Sequence, residues 1–538
     1  MRPRTRMSLA SQVASGREDG DRTTREIELR LATTDAAYRL LPACAALASL
    51  DVSSARTREL QSVYWDTPAL ALRDARIALR LRRTDGGAWL QTLKADRQDP
   101  HARDEFEGDA RGDRPDFALA ERLGWRAPAS FGVRQDALRP IFHPRVVRTT
   151  RAVTFDDGSA AELALDRGEL FVDGREIAVE PILEIEIELA RGSARRLYEL
   201  AWRLVDELPS TRMLFASKAE RGYALVTGGL APPRHARAID VPRKAPAVRV
   251  ASRAAAESLA QLQANVEGAR AGDAESLHQM RIGVRRLRVA MALARKAGLP
   301  SWSDTLRAEL AWLWEMSGEM RDLDVLALET WPAVAAGGEG EDGPEAGREG
   351  EAGAAATFEA ALDARRAEGH RKLRDALDGT RFQHVVIALG ANSALLEEAA
   401  EHAGGRTSAK LARRLLSRRA DRILEQGARI EHLSAEERHR LRIETKKLRY
   451  LGEFFAGSRA QRAKRYLRRL AALQTVLGGL NDLAATERII EAIAAPLQDG
   501  GGAVMGLWRD YADARERTLN RKLGPKWNRF AKKKPFWD

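Results

Sequence analysis

The sequence has little cysteine and no long apolar run. Cys44 is the only cysteine among 538 residues, which excludes an internal disulfide and a zinc site built from several cysteines, and is consistent with a reducing cytoplasm. No segment of about 18 consecutive apolar residues occurs, so the sequence predicts no transmembrane helix. The arginine-rich first residues are followed by no apolar segment, so a signal peptide is not predicted either.

Acidic residues are abundant, although the chain as a whole is basic. Its 89 lysines and arginines outnumber 77 aspartates and glutamates, which gives a formal net charge of +12 at pH 7. A protein that only coats an anion has no need of so many carboxylates, so the places where the two signs segregate are informative. The length exceeds what one hydrophobic core usually organises and predicts roughly two to four domains.

The first part of the chain carries the signals of an antiparallel sheet. Short runs of alternating polar and apolar residues recur, separated by Asp-Gly turn signals. Residues 36–50 and 193–208 predict helices among the strands. We therefore expect an α+β domain over residues 24–228, preceded by a disordered N-terminus at residues 1–23. The turn signals lie at 85–87, 157–158 and 173–174.

The second part of the chain carries helical signals only. Several prolines mark a linker over residues 229–246. Long amphipathic stretches rich in Ala, Leu, Arg and Glu then predict an all-α domain over residues 247–525. A Gly/Glu-rich insert at 337–353 has too few apolar residues to bury a core and is predicted to be a disordered loop. Residues 526–538 are predicted to form a basic tail.

The helical part contains an internal repeat. The segment that begins at His278 has basic residues three, seven, eight and ten positions later, and the segment that begins at His439 has basic residues at the same offsets. Gly318 and Gly478, each followed four residues later by aspartate, lie at nearly the same distance downstream. This agreement predicts a duplicated helical unit.

The polar faces of the predicted strands each carry one dominant charge. Residues two apart on a strand share a face, so segments 26–30 and 184–188 group carboxylates and segment 80–82 groups arginines. A sheet with one solvated face is one explanation. However, neighbouring carboxylates repel unless cations neutralise them. A closed antiparallel barrel would line its interior with these charges, with Mg²⁺ or Mn²⁺ on the acidic strands and phosphate on the basic ones.

These motifs resemble those of the CYTH family, the triphosphate tunnel metalloenzymes. Glu26-x-Glu28-x-Arg30 resembles the ExExK signature of that family. Further motifs follow in the family's order over residues 24–227, and the ordered set is more specific than any single motif. They are YWDTP at 64–68, LRLRR at 79–83, QTLK at 91–94, RDEFE at 103–107, LD at 165–166, EIE at 184–186 and SKAER at 217–221.

The resemblance implies an eight-stranded antiparallel β-barrel, a tunnel with flanking helices, which hydrolyses triphosphate substrates with Mg²⁺ or Mn²⁺. A metal-associated water would attack a terminal phosphorus in line. Glu105 or Glu107 would balance the basic floor of the tunnel. By resemblance, the catalytic residues are Glu26, Glu28, Arg30 and Lys94, the phosphate-binding residues are Arg80, Arg82, Lys94, Arg148 and Lys218, and the metal ligands are Glu26, Glu28, Asp166, Glu184 and Glu186.

The chain departs from the family signature at Arg30, where the family has lysine. Arginine keeps the positive charge but is larger and does not readily lose its proton. We expect phosphate binding to survive this change, whereas the turnover rate and the preferred chain length stay open. A tunnel that binds without turning over is therefore an alternative.

Each repeat carries a stripe of basic side chains. At roughly 100° per residue, offsets of zero, three, seven and ten fall within an arc of about 80°. A solvated basic face explains one stripe, whereas a duplicated stripe favours a polyanion ligand. The pattern resembles the CHAD family of conserved-histidine α-helical domains, which implies duplicated four-helix bundles around a groove that binds inorganic polyphosphate. The groove residues expected are His278, Arg281, Arg285, Arg286, Arg288, His439, Arg442, Lys446, Lys447 and Arg449.

The sequence thus favours a polyphosphate-associated protein with metal-dependent inorganic triphosphatase activity. A non-catalytic polyphosphate-binding scaffold is the principal alternative. Nucleic-acid binding is disfavoured because the stripes lack the interleaved aromatic residues that stack exposed bases. An adenylate cyclase is a further alternative within the CYTH resemblance, although no adenine pocket is evident. The expected location is the cytoplasm, including polyphosphate granules, with no membrane partner, and the oligomeric state is not predicted.

Overall fold

A computed structural model of the chain describes residues 27–96, 103–127, 131–174, 179–299, 302–337, 345–497 and 500–537. The described residues up to Pro232, together with Asp378–Ala394, form one compact unit, and Pro233–Leu377 with Leu395 onward form another. Within the described residues, no helix is long and apolar enough to cross a membrane. The predicted N-terminal disorder at 1–23, like Glu26, lies outside these residues.

The first unit is built on one antiparallel sheet of ten strands. Its strands are β1 (Glu28–Ala32), β2 (Asp51–Val52), β3 (Arg56–Asp66), β4 (Ile77–Thr84), β5 (Leu90–Asp96), β6 (Arg103–Asp109), β7 (Arg139–Thr154), β8 (Ala160–Val172), β9 (Glu180–Arg191) and β10 (Arg212–Met213). The order across the sheet is β10-β1-β9-β8-β7-β3-β4-β5-β6, and β2 pairs with β7 outside this path.

The sheet is open, so the prediction of a closed eight-stranded barrel is wrong. Its edges within the described part of the chain are β6 and β10, and no ladder joins them. With two residues, β10 is too short to pair along the length that barrel closure requires. The predicted number of strands is also wrong, because two-residue strands such as β2 and β10 show no alternation in the sequence.

The two faces of the sheet differ in polarity, as the alternation predicted. Leu79, Leu81 and Leu93 are fully buried on one face, in a cluster with Trp65 and Trp125. Residues directly opposite one another on paired strands share a face. The pairs on the other face are charged or polar, so a line of charged side chains crosses the sheet from β1 to β6. These pairs are Arg30 with Glu186, Asp166 with Glu184, Arg148 with Asp166, Arg82 with Ser62, and Lys94 with Glu105.

Six helices flank the described part of this sheet up to residue 227. The helix predicted at 193–208 is confirmed, and that at 36–50 is split by a 3₁₀ turn at Leu41–Ala43, which contains a proline. The predicted Asp-Gly turns are also confirmed, since the glycines at 86, 158 and 174 have φ angles of 70°, 80° and 75°. The helices are α1 (Asp35–Leu40), α2 (Ala45–Ala48), α3 (Ala71–Asp74), α4 (Phe117–Arg122), α5 (Arg195–Glu207) and α6 (Lys218–Thr227).

The chain beyond Pro246 is helical, which confirms the all-α prediction. The helices are α7 (Ala247–Ala264), α8 (Val266–Arg270), α9 (Ala274–Ala297), α10 (Asp304–Val325), α11 (Trp331–Gly337), α12 (Glu345–Asp378), α13 (Thr380–His402), α14 (Ser408–Gln426), α15 (Ala435–Phe454), α16 (Ala460–Ala494) and α17 (Gly501–Ala531). The repeated histidine segments lie on α9 and α15, which pack against each other. The arrangement of two four-helix bundles stays a prediction.

The Gly/Glu-rich insert and the basic tail are both partly helical. The loop prediction is wrong for residues 345–353, which begin α12, because alanine, glutamate and arginine favour helix there despite the glycines. Residues 338–344 lie outside the described chain. Within the predicted basic tail, residues 526–531 belong to α17, and Phe536 and Trp537 are buried against Tyr466. Burial of these aromatic rings outweighs the solvation of the neighbouring lysines.

Candidate functional sites

Three carboxylates converge on the charged face of the sheet. Asp166 on β8 lies opposite Glu184 on β9, and Glu186 follows two residues along β9. One oxygen of each lies within 4.8 Å of the others. Asp166 and Glu184 are buried, and Glu186 is half-buried. Hard divalent cations prefer oxygen donors of this kind, so the donor set of this carboxylate cluster fits Mg²⁺ or Mn²⁺.

Lys218, the first residue of α6, reaches into the carboxylate cluster. Its Nζ lies 2.8 Å from Asp166 Oδ2, 2.7 Å from Glu184 Oε2 and 2.6 Å from Glu186 Oε1. Burial lowers the pKa of the Lys218 ammonium, but the three carboxylates together raise that pKa above its ordinary value. Lys218 is therefore charged at physiological pH. The sequence predicted a phosphate ligand here, and the structure places the ammonium on the carboxylates.

Arg148 on β7 contacts two members of the carboxylate cluster. Its Nε and Nη2 donate to Asp166 Oδ1 and Oδ2 at 2.7 and 2.6 Å, and Nη2 also donates to Glu186. Burial raises the pKa of the Glu186 carboxyl, but Lys218 and Arg148 lower it far below its ordinary value. The Glu186 carboxylate is therefore ionised throughout the physiological range of pH.

Arg221, one turn along α6 from Lys218, completes the pairing. It donates to Glu184 Oε1, and its Nη1 donates to Glu180 Oε1 at 2.8 Å. The sequence motif at 217–221 included Arg221 without giving it a role. Arg221 follows Lys218 by three residues, and this spacing puts both side chains on one side of a helix. That spacing was the sequence signal that could have identified Arg221.

Arg82 lies on the basic floor of the charged face. Among the described residues, no carboxylate forms an ion pair with it. Its Nε donates to Ser62 Oγ at 3.1 Å. Burial, followed by repulsion from Arg80 and Arg148, lowers the pKa of the Arg82 guanidinium to about 10. A desolvated cation without a carboxylate partner is costly, and a bound anion would relieve that cost.

Both acids left open by the sequence balance this floor. Arg80 Nη2 donates to Thr92 Oγ1 at 3.0 Å, and the Thr92 hydroxyl donates to Glu107 Oε2 at 2.9 Å. Lys94 Nζ lies 3.1 Å from Glu105 Oε2. Glu107 thus lies beside Arg80 and Glu105 beside Lys94. The two acids neutralise different cations, so they are not alternatives to each other.

The signature strand β1 lies beside the carboxylate cluster. Arg30 is opposite Glu186 and lies 3.5 Å, Nε to Oε1, from Glu28. Burial lowers the pKa of Arg30, but Glu28 and then Glu186 raise it above its ordinary value. Among the described residues, the carboxylates close enough to share a cation do not include Glu28. The fourth predicted acidic ligand, Glu26, lies outside the described residues.

Helix α6 is held against the charged face by two contacts that the sequence did not reveal. A Cβ added to Gly222 would stand 2.2 Å from Phe142 Cε2, so the helix approaches β7 closely. Tyr223 donates its hydroxyl to Asp66 Oδ2 at 3.0 Å, and Asp66 also accepts backbone N–H groups at the start of α3. The aspartate of the 64–68 motif therefore supports the site without lining it.

The stripes on α9 and α15 face a shared basic region, which we call the basic groove: Arg281, Arg285, Arg442, Lys446 and Arg449. Repulsion among its members is direct, since Arg285 and Arg442 both act on Lys446. Burial comes first, and these two arginines follow, in lowering the pKa of Lys446 to about 7. Within the described chain, Arg285 and Lys446 form no ion pair. A groove of this kind favours an anionic ligand.

Aromatic rings from neighbouring positions support the groove arginines. Arg281 lies 3.9 Å above the Trp314 ring, and Arg285 lies 5.5 Å from the same ring and 5.4 Å from Tyr450. Arg281 also donates to the Trp314 carbonyl and to Ser317 Oγ at 2.7 and 2.9 Å. These residues were missed because Trp314 and Ser317 lie on α10, outside the repeated motif.

The remaining predicted groove residues have different surroundings. Arg286 is buried and paired with Glu453, whereas Arg288 and Lys447 are exposed. His439 Nδ1 contacts the side chain of Asn481. Burial, followed by Arg321, lowers the pKa of His278. The structure thus brings together five of the ten predicted residues as the basic groove and places Arg286 in the core.

The charged sheet face and the duplicated basic helices define a two-domain protein with an acidic-and-basic site and a separate polycationic surface. The CYTH domain family matches residues 24–223, and the CHAD domain family matches residues 253–491. The chain thus contains a CYTH domain followed by a CHAD domain.

Three solved structures are similar to parts of the chain. The CHAD domain of the plant Ricinus communis is 27% identical with a TM-score of 0.48, covering 56% of this chain and 96% of that chain. A Hippeastrum protein, described as a candidate adenylyl cyclase with a dominant triphosphatase activity, is 21% identical with a TM-score of 0.26, covering 38% and 98%. PptA from Streptomyces chartreusis is 14% identical with a TM-score of 0.40, covering 53% and 100%.

Proposed function

We propose that the CYTH domain hydrolyses inorganic triphosphate with a divalent metal and that the CHAD domain binds inorganic polyphosphate. The observation that carries the first half is the carboxylate cluster lying beside Arg148 and the unpaired Arg82 on one face of the sheet. Carboxylates suit a metal ion and guanidinium groups suit phosphate oxygens. A metal-bound oligophosphate has both kinds of charge.

The residues would divide the work by charge. Asp166, Glu184 and Glu186 would hold the metal. The metal would supply a water of lowered pKa and neutralise phosphate charge. The cationic residues would orient the triphosphate and stabilise the charge on the transferred group. These residues are Arg30, Arg80, Arg82, Lys94, Arg148 and Lys218.

The basic groove supports the second half of the proposal. Its partly buried, mutually repelling cations would gain favourable partners from a chain of phosphates, at the positions of Arg285 and Lys446 above all. Affinity should fall steeply with salt, because each neutralised phosphate releases counterions. Such binding would place the protein on polyphosphate granules.

A substrate screen on the full chain tests the proposal. Phosphate release would be measured with and without Mg²⁺ or Mn²⁺ from inorganic triphosphate, long-chain polyphosphate, thiamine triphosphate and ATP. We expect metal-dependent release from inorganic triphosphate. Release from ATP alone would instead favour a nucleotide enzyme.

A second candidate is a scaffold whose charged sheet face binds phosphate without hydrolysing it. It is favoured by the full pairing of the carboxylate cluster with Lys218, Arg148 and Arg221. Polyphosphate binding without any metal-dependent release would select this candidate.

A further inference from the structure

Every oxygen of the carboxylate cluster already contacts a cationic side chain. Asp166 Oδ1 and Oδ2 accept from Arg148, and the second also contacts Lys218. Glu184 contacts Lys218 and Arg221, one through each oxygen, and Glu186 contacts Lys218 and Arg148 in the same way. A divalent ion shared by these oxygens would therefore compete with the resident cations for them.

Lys218 is the resident cation best placed to leave. It is the one side chain of the three that contacts all three carboxylates, so its ammonium stands where a shared cation would stand. Arg148 lies on a central strand and grips Asp166 with two parallel bonds. A lysine ammonium is a single charge on a flexible stem, whereas the arginine fork is rigid.

We propose that Lys218 is an internal counterion that competes with the divalent metal for the carboxylate cluster and leaves the cluster when the metal binds. The inference rests on the proposed metal-dependent function. It deepens that function by giving the order of events: the metal binds first, and the released ammonium is then free for a phosphate oxygen.

The backbone of α6 need not move for this exchange. The helix start is fixed by a reciprocal cap between Ser217 and Glu220, and its middle by the bond from Tyr223 to Asp66. Only the Lys218 side chain has to rotate. The exchange also reconciles the predicted role of Lys218 as a phosphate ligand with its observed place among carboxylates.

The exchange is tested by titrating the full chain with Mn²⁺ and measuring the free ion by electron paramagnetic resonance. The variants are Lys218→Met and a matched control, Arg221→Met, which removes a cation of the same helix that contacts a single member of the carboxylate cluster. We expect Lys218→Met to bind Mn²⁺ at least tenfold more tightly than the parent, and Arg221→Met to change affinity by threefold or less. Equal or weaker binding by Lys218→Met, or an equal gain in Arg221→Met, would overturn the inference.

A measurement on the unmodified chain covers the case in which Lys218→Met does not fold. Acylation of Lys218, measured by mass spectrometry, should increase when Mn²⁺ is added. If Mn²⁺ leaves the acylation of Lys218 unchanged, the exchange is overturned. If Lys218→Met binds Mn²⁺ as the parent does while the parent releases phosphate, the exchange is rejected and the proposed hydrolysis stands. Tighter Mn²⁺ binding by Lys218→Met without phosphate release from the parent supports the exchange and rejects the proposed hydrolysis.

Discussion

Arg281 lies across Gly318: a Cβ added to that glycine would stand 3.3 Å from Arg281 Nη1. The second repeat has the same relationship, with 3.8 Å between a Cβ on Gly478 and Arg442 Nε. Each arginine of the pair thus crosses a neighbouring helix where no side chain obstructs it. The duplication therefore extends from the motif to its three-dimensional contact, and the approach is tighter at Gly318 than at Gly478.

Neighbouring arginines on α9 should respond oppositely to removal of charge. Arg285→Met should weaken polyphosphate binding severalfold and leave stability unchanged or raised, because a desolvated cation without an ion pair is lost. Arg286→Met should lower the free energy of unfolding by about 1–3 kcal/mol, because it breaks a buried bond to Glu453. Urea denaturation and binding titrations on both variants measure the contrast. A reversed pattern would show that the groove has been placed on the wrong side of α9.

Polyphosphate affinity should fall as pH rises through neutrality. The pKa of Lys446 in the empty groove is lowered to about 7, so the folded chain loses this charge well below the ordinary lysine range. A polyanion favours the charged form and raises that pKa, so binding above pH 7 takes up a proton. The slope should reach at most about tenfold per pH unit, since one proton is involved. Titration calorimetry in two buffers of different ionisation enthalpy would detect the proton.

The control for this pH dependence is Lys446→Arg, which stays charged. Its affinity should vary less between pH 6 and 8 than that of the parent. Lys447→Arg, at an exposed neighbouring position, should keep the parental profile. A parental slope in Lys446→Arg would assign the titration to another group, His278 first among them.

Gly222→Ala should destabilise the CYTH domain. The new methyl group would meet Phe142, which is fully buried, at 2.2 Å. Overpacking of this kind costs about 1–3 kcal/mol, more than the gain of about 1 kcal/mol from alanine in a helix. Gly229→Ala is the matched control, because no atom lies within 4 Å of its Cβ. Thermal unfolding compares the two variants. Equal melting temperatures would contradict the close packing of α6 against Phe142.

The sequence could predict which face of each strand is charged, because alternation places Arg80 with Arg82 and Glu184 with Glu186 whatever the sheet does. It could not place Lys218 among the carboxylates. That contact joins a helix to strands 32–52 residues away, and only tertiary packing determines it. Barrel closure failed as a prediction for the same reason, since it depends on pairing between the two edge strands.

Helix geometry alone separates two of the predicted groove residues from the basic stripe. Arg286 and Lys447, at offset eight, lie about 80° outside the arc shared by the other positions. The structure buries the first against Glu453 and exposes the second. The aromatic support from Trp314 was not predictable, because it lies on α10 and the motif contains no partner for it.

The most direct test of the central claim is phosphate release from inorganic triphosphate by the full chain, with and without Mg²⁺ or Mn²⁺. Glu186→Gln removes one charge from the carboxylate cluster, and Glu169→Gln, at an exposed position on β8, is the matched control. We predict metal-dependent release by the parent and by Glu169→Gln, and a loss of roughly a hundredfold or more in Glu186→Gln. Release that is unaffected by Glu186→Gln, or that needs no metal, would contradict the account.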